Sequence, residues 1–162
     1  MQTMFPIIID VLFSLGLTWA VGSSTFAITF YMVALSDGTI DPSEKRLMHT
    51  VYHVLRIGQA LLILALIGFA LQPGFVVTNV YIAQWFLIGV VVLNGLLMTK
   101  HVMPMRFGPI LAGGSWYALF FVSTLPFNET PLWIIATIYI GFLAFFYVCF
   151  NGFKKKFVKT QA

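Results

Sequence analysis

Five long apolar runs, separated by short polar joints, occupy nearly all of this 162-residue chain. They lie at Phe5–Leu35, Leu47–Leu71, Val80–Leu97, Ile110–Leu125 and Leu132–Phe150. Roughly 17–20 apolar residues, coiled as a helix, cross a hydrocarbon core about 30 Å thick. Lipid offers no hydrogen bonds, so each spanning segment must satisfy its own backbone, which a helix does. The pattern predicts an all-α, polytopic membrane helix bundle with five transmembrane helices, at 5–35, 47–71, 80–101, 110–125 and 132–152. No polar stretch is long enough for a separate soluble domain, so residues 1–162 read as a single domain. Only 9% of the residues are charged, well under the roughly 25% of an ordinary soluble domain.

The few charges are placed unevenly. Lys45 and Arg46 fall in the first joint, Lys100 and Arg106 in the third, and Lys154, Lys155, Lys156 and Lys159 in the tail. The second joint (72–75), the fourth (126–129) and the N-terminus before Pro6 carry no Lys or Arg. Basic residues therefore fall on one side at each crossing, the pattern of cytoplasmic loops. The expected threading puts the N-terminus outside and the C-terminus in the cytoplasm of a prokaryotic inner membrane. A cleaved signal peptide fits the first run poorly, because it lacks a basic start, is too long and is interrupted by Asp10.

Breakers set the joints. Ser36-Asp37-Gly38 ends the first helix, and Asp41-Pro42-Ser43-Glu44 starts the second with a capping pattern. Pro73-Gly74, the pair Pro104 and Pro109, and the pair Pro126 and Pro131 mark the others. These joints are too short to hold a soluble active site. Any chemistry must lie in the bundle or at its mouths.

Polar residues within the runs are the informative ones, since a charge at mid-bilayer costs about 2.5–3.5 kcal/mol or more. In the first run Asp10, Ser14, Thr18, Gly22, Thr25 and Thr29 share one helical face. Small and hydroxyl residues so arranged pack helices closely, or else line a polar cavity. In the second run His49, His53 and Arg56 share a face, flanked by Tyr52 and Gln59. Arg56 lies about 15 Å along the axis from Arg46, which predicts an inward-facing side chain with a partner. The third run adds Asn94 and His101, seven residues apart and so on one face. The fourth holds Gly113, Gly114, Ser115, Trp116 and Tyr117, where the glycines allow close backbone approach. Tyr81, Trp85, Trp133 and Tyr139 fit interfacial aromatic belts.

Several motifs are missing. The chain has no phosphate loop, dinucleotide fingerprint, nucleophile elbow or paired carboxylates. Asn128-Glu129-Thr130 has the glycosylation pattern but lies in a very short joint before Pro131. The tail lysines read as a stop-transfer and lipid anchor, with no nucleic-acid partner implied. Cys149 is the single cysteine, so no disulfide framework forms.

The segments Thr18-Trp19-Ala20-Val21-Gly22-Ser23-Ser24-Thr25-Phe26, Asp37-Gly38-Thr39-Ile40-Asp41-Pro42-Ser43-Glu44, Leu93-Asn94-Gly95-Leu96 and Ser115-Trp116-Tyr117 occur in that order. The series resembles a group of small prokaryotic membrane proteins of four to five spans, few of them characterised. It is loosely similar to haem-associated families, the copper-resistance D-type domain and the HemJ-type protoporphyrinogen oxidase. The HemJ-type resemblance implies a first-span histidine, and this first span has none. That departure leaves protoporphyrinogen oxidation unsupported and haem binding through His49, His53 or His101 open.

Three classes of function follow. One is a haem- or quinone-binding membrane protein with a site in the cytoplasmic half of the bundle, formed by His49, His53, Arg56, Asn94 and His101. There His49 and His101 would ligate the iron of a b-type haem from two helices, and Arg56 would meet a propionate or quinone oxygen. Few carboxylates accompany these residues, which disfavours zinc, calcium or magnesium. The second is a small-solute carrier or channel component, its polar path lined by Arg56, Asn94 and the first-run stripe. The third is a non-enzymatic subunit, whose polar face is buried against another membrane protein or a second copy.

Overall fold

The computed structural model describes residues 4–37, 41–100, 102–103, 107–124 and 130–158, with the side chains of 34–37 and 153–158 outside that description. The chain forms five helices: α1 (Met4–Asp37), α2 (Pro42–Ala70), α3 (Asn79–Thr99), α4 (Phe107–Thr124) and α5 (Leu132–Val158). No strand occurs among the described residues. The capping pattern read from the sequence is present at α2. Asp41 accepts from the Ser43 backbone N–H at 2.9 Å, and the Asp41 N–H donates to Glu44 Oε2 at 3.0 Å. At the other end of α2, Gly74 adopts φ 79°, a left-handed conformation that glycine takes without steric cost.

Two contacts order the bundle. The first is the pairing of α1 with α2, where backbone meets backbone at Gly16 and Gly58. A Cβ added at Gly58 would lie 2.7 Å from the Ala20 nitrogen and 2.9 Å from the Gly16 carbonyl oxygen. One added at Gly16 would lie 2.9 Å from both the Gly58 oxygen and the Leu62 nitrogen. Small residues bring membrane helices this close because lipid supplies no hydrophobic drive of its own between them.

The second is the placement of α4 in the middle, against α1, α3 and α5, while α2 leans chiefly on α1. Gly113 faces Phe146 and Ile28, and Gly114 faces Leu143, so the glycine pair receives α5 and α1 side chains directly. Trp116, Ala118 and Leu119 are fully enclosed, within a cluster that includes Leu17, Ala20, Leu62, Leu66, Leu87 and Ile88.

Among the described residues, four helices are long and apolar enough to cross a membrane: Met4–Val33, Pro42–Ala70, Asn79–Thr99 and Leu132–Gly152. The fifth expected span, α4, does not reach that standard, having 18 residues diluted by Gly, Pro, Ser, Trp and Tyr. The reason is its position. A helix enclosed by protein on most sides has little surface to match to lipid, so it can carry small and polar groups. The helices around it turn Phe26, Leu64, Phe86, Ile140, Phe145 and Val148 outward. That apolar exterior suits lipid, not water.

The glycine crossing generates a test. Gly58→Ala is expected to destabilise the bundle by about 1–3 kcal/mol through overpacking, whereas Gly95→Ala, with open space around its Cβ, should leave stability equal or slightly raised. Thermal unfolding in detergent, followed by circular dichroism, measures both.

Candidate functional site

Polar side chains in this fold fall into two groups, one inside and one outside. The inner group ties α4 to each of its neighbours. The Thr25 hydroxyl on α1 meets the Tyr117 hydroxyl at 2.8 Å, and Ser115 meets Tyr139 of α5 at 2.9 Å. From α3, Gln84 Nε2 donates to Ser123 Oγ at 3.1 Å and Asn94 Nδ2 donates to the Gly108 carbonyl at 2.9 Å. Tyr139, read from the sequence as an interfacial aromatic, is instead half-buried and part of this set. Tyr81 also turns inward, its hydroxyl donating to the Leu66 carbonyl of α2 at 3.1 Å.

The outer group is carried by α1 and α2. On α2, His49, His53 and Arg56 are all exposed, and the His49 and His53 rings stack with centroids 6.2 Å apart and planes 27° apart. Arg56 pairs with no carboxylate among the described residues. The expected inward-facing arginine therefore faces outward, and the cause is local. Gly58 is two residues on from Arg56, about 200° round the helix at 100° per residue. Once Gly58 is pressed against α1, Arg56 must point away. Helical spacing shows which residues share a face, but only the small residue Gly58 signalled which face turns inward.

Of the five residues expected to form one site, the four that are described lie in two places. Three share the outward face of α2. Asn94 is buried at 2% exposure in the α3–α4 contact, its Nδ2 bonded and its Oδ1 without a partner. His101 lies outside the described residues. Among the described residues no three His, Cys, Asp or Glu side chains come together, although a haem iron needs only two axial ligands. His49 and His53, one turn apart on one helix, lie on the same side of anything seated against it. Only one of them can ligate a given iron, so the other ligand would have to come from another helix or chain.

On α1 Asp10, Ser14, Thr18 and Thr29 of the stripe are exposed, Thr25 sits at its edge against Tyr117 of α4, and the bundle packs on a different face through Gly16, Ala20 and Ser24. Its hydroxyls return hydrogen bonds to their own helix: Thr18 to the Ser14 carbonyl at 2.8 Å, Thr25 to Val21 at 2.9 Å and Thr29 to Thr25 at 2.9 Å. Ile7, Asp10, Val11, Ser14, Leu15 and Thr18 line a shallow, open groove of about 410 Å³ along α1 alone. A second groove, of about 510 Å³, runs along the start of α2 past Asp41, Pro42, Ser43, Arg46, Leu47 and Thr50. Compared with known proteins, the chain matches no family model, no curated protein and no solved structure.

The start of α2 is acid-sensitive by design of its cap. The hydroxyl and backbone N–H of Ser43 both donate to Asp41 and hold its carboxyl below the usual carboxylate range. A lowered native value means the cap is intact at neutral pH and is lost as pH falls through that value. Hydrogen exchange should show the first turn of α2 losing relative protection below about pH 4, with Asp41→Asn removing Asp41's share of that dependence while retaining a cap.

Proposed function

We propose that this chain is a five-span protein of a prokaryotic cytoplasmic membrane, N-terminus outside and C-terminus inside, that serves as a non-enzymatic subunit of a membrane complex. The threading rests on Lys45, Arg46, Lys100, Arg106 and the tail lysines, all of which fall at one end under it. The observation that carries the subunit reading is the outward groove on α1. Its small and hydroxyl side chains are of the kind that membrane helices use at contacts, yet none of the three helices that pack on α1 covers Asp10, Ser14 or Thr18. A helix from another chain, supplying a hydrogen-bond donor for Asp10, fits that surface. A carrier reading has less support, because the centre of the bundle is filled by Leu62, Leu66, Leu87, Ile88, Trp116 and Leu119, which give a solute no polar lining.

Photo-crosslinking from a benzophenone side chain at Ser14, in intact membranes, tests this. A crosslinked product heavier than the monomer is expected from Ser14 and not from Gly95 on α3. Monomer alone at both positions would remove the subunit reading.

A second reading, haem binding, is favoured by the stacked His49–His53 pair with Arg56 one turn further on. Haem would add a redox centre at that face. It requires a Soret band in protein purified from haem-replete cells, weakened in His49→Ala or His53→Ala, and a featureless visible spectrum dismisses it.

A further inference from the structure

The outward face of α2 has an order along its length that neither reading uses. Setting Lys45 at zero and turning 100° per residue, Arg56, His49, His53 and Arg46 fall at about 20°, 40°, 80° and 100°. Every one of these side chains is exposed. The same arc continues with Ala60, Leu64, Ile67 and Leu71, again all exposed and now entirely apolar. One strip of helix surface is thus cationic and imidazole-bearing from Lys45 to Arg56, and hydrocarbon beyond it. Each half is about 16 Å long at 1.5 Å per residue.

Helix length places this strip in the bilayer. α2 has 29 residues against 21 in α3, or about 43 Å against 31 Å. The two are joined at one end by the short segment Leu71–Thr78, so the surplus of α2 projects at the opposite, Lys-bearing end. Side chains on a helix tilt toward its N-terminus, which for α2 is that same end. Arg56 therefore reaches toward the headgroups, as a snorkelling side chain does.

We propose that this strip is a binding site for an acidic phospholipid. Its phosphate would be held among Arg56, His53, His49 and Arg46, and an acyl chain would lie along Ala60, Leu64 and Ile67. Charge complementarity selects the occupant. Lys45, Arg46 and Arg56 are cations with no acid between them on the arc, while Asp41 and Glu44 are taken up with each other's backbone in the cap. The apolar continuation requires a tail attached to the anion, which a free anion lacks.

The test is thermal unfolding of the full chain in neutral detergent, titrated separately with phosphatidylglycerol, phosphatidylcholine and inorganic phosphate. Phosphatidylglycerol is expected to raise the midpoint by several degrees, with little change from the other two. Arg56→Gln with His53→Gln should abolish most of that rise, whereas Lys100→Gln, off the strip, should retain it. Equal shifts with both lipids would overturn the proposal, as would a matching shift from phosphate alone. Undiminished phosphatidylglycerol stabilisation in the double variant would also overturn it. Should the double variant not fold, native mass spectrometry of the wild type decides: retained phosphatidylglycerol supports the site, and an adduct of protein alone refutes it.

Discussion

The contact of Gly16 with Gly58 is the constraint on which the rest of this architecture depends. In lipid, apolar side chains gain nothing by leaving the solvent for each other, so helices associate by fitting closely. Two glycines opposite one another let the backbones of α1 and α2 touch. That fixes the rotation of both helices about their own axes. Everything polar on α2 between Lys45 and Arg56, and Asp10, Ser14 and Thr18 of α1, is then delivered to the outside. Had Gly58 been placed two residues earlier, Arg56 and Gly58 would have exchanged faces and the histidines would have faced the bundle.

The interior follows a complementary rule. A polar group enclosed by protein and lipid must find a partner, because an unsatisfied one costs about 1–3 kcal/mol. α4 meets part of this requirement through Thr25, Gln84, Asn94 and Tyr139, drawn from all three helices around it, while Trp116 Nε1 stays enclosed without a partner among the described residues. Individually such bonds are modest in membranes, on average about 0.6 kcal/mol. Their larger effect is on uniqueness: each bond fixes a rotation and a height, and together they leave α4 a single seat.

The sequence made the helices, their limits and the α2 cap legible, because hydropathy and breakers act locally. Asp41, Pro42 and Glu44 announced their roles within four residues of chain. The glycines of α4 likewise did what small residues in a membrane helix do. Three features were less accessible, each for a non-local reason. Arg56 was misjudged because shared spacing does not say which face a helix turns inward. Tyr139 was read as a belt residue because its partner, Ser115, belongs to another helix. The central seat of α4 is the third, because hydropathy alone does not record that a helix's neighbours are protein. Of the candidate site, His49, His53 and Arg56 share the outward face of α2, as their spacing implies, and Asn94 lies apart in the α3–α4 contact.

The central seat of α4 also bears on how the molecule is made. The chain emerges from its N-terminus, so α1 and α3 are already available when α4 appears, and α5 is not. Thr25, Gln84 and Asn94 can take up α4's hydrogen bonds at once, while Ser115 must wait for Tyr139. The central helix is thereby received by a half-built cradle and closed over by the last. Biosynthetic order and three-dimensional order coincide in this bundle, and a circular permutation that brought α4 out first would separate them.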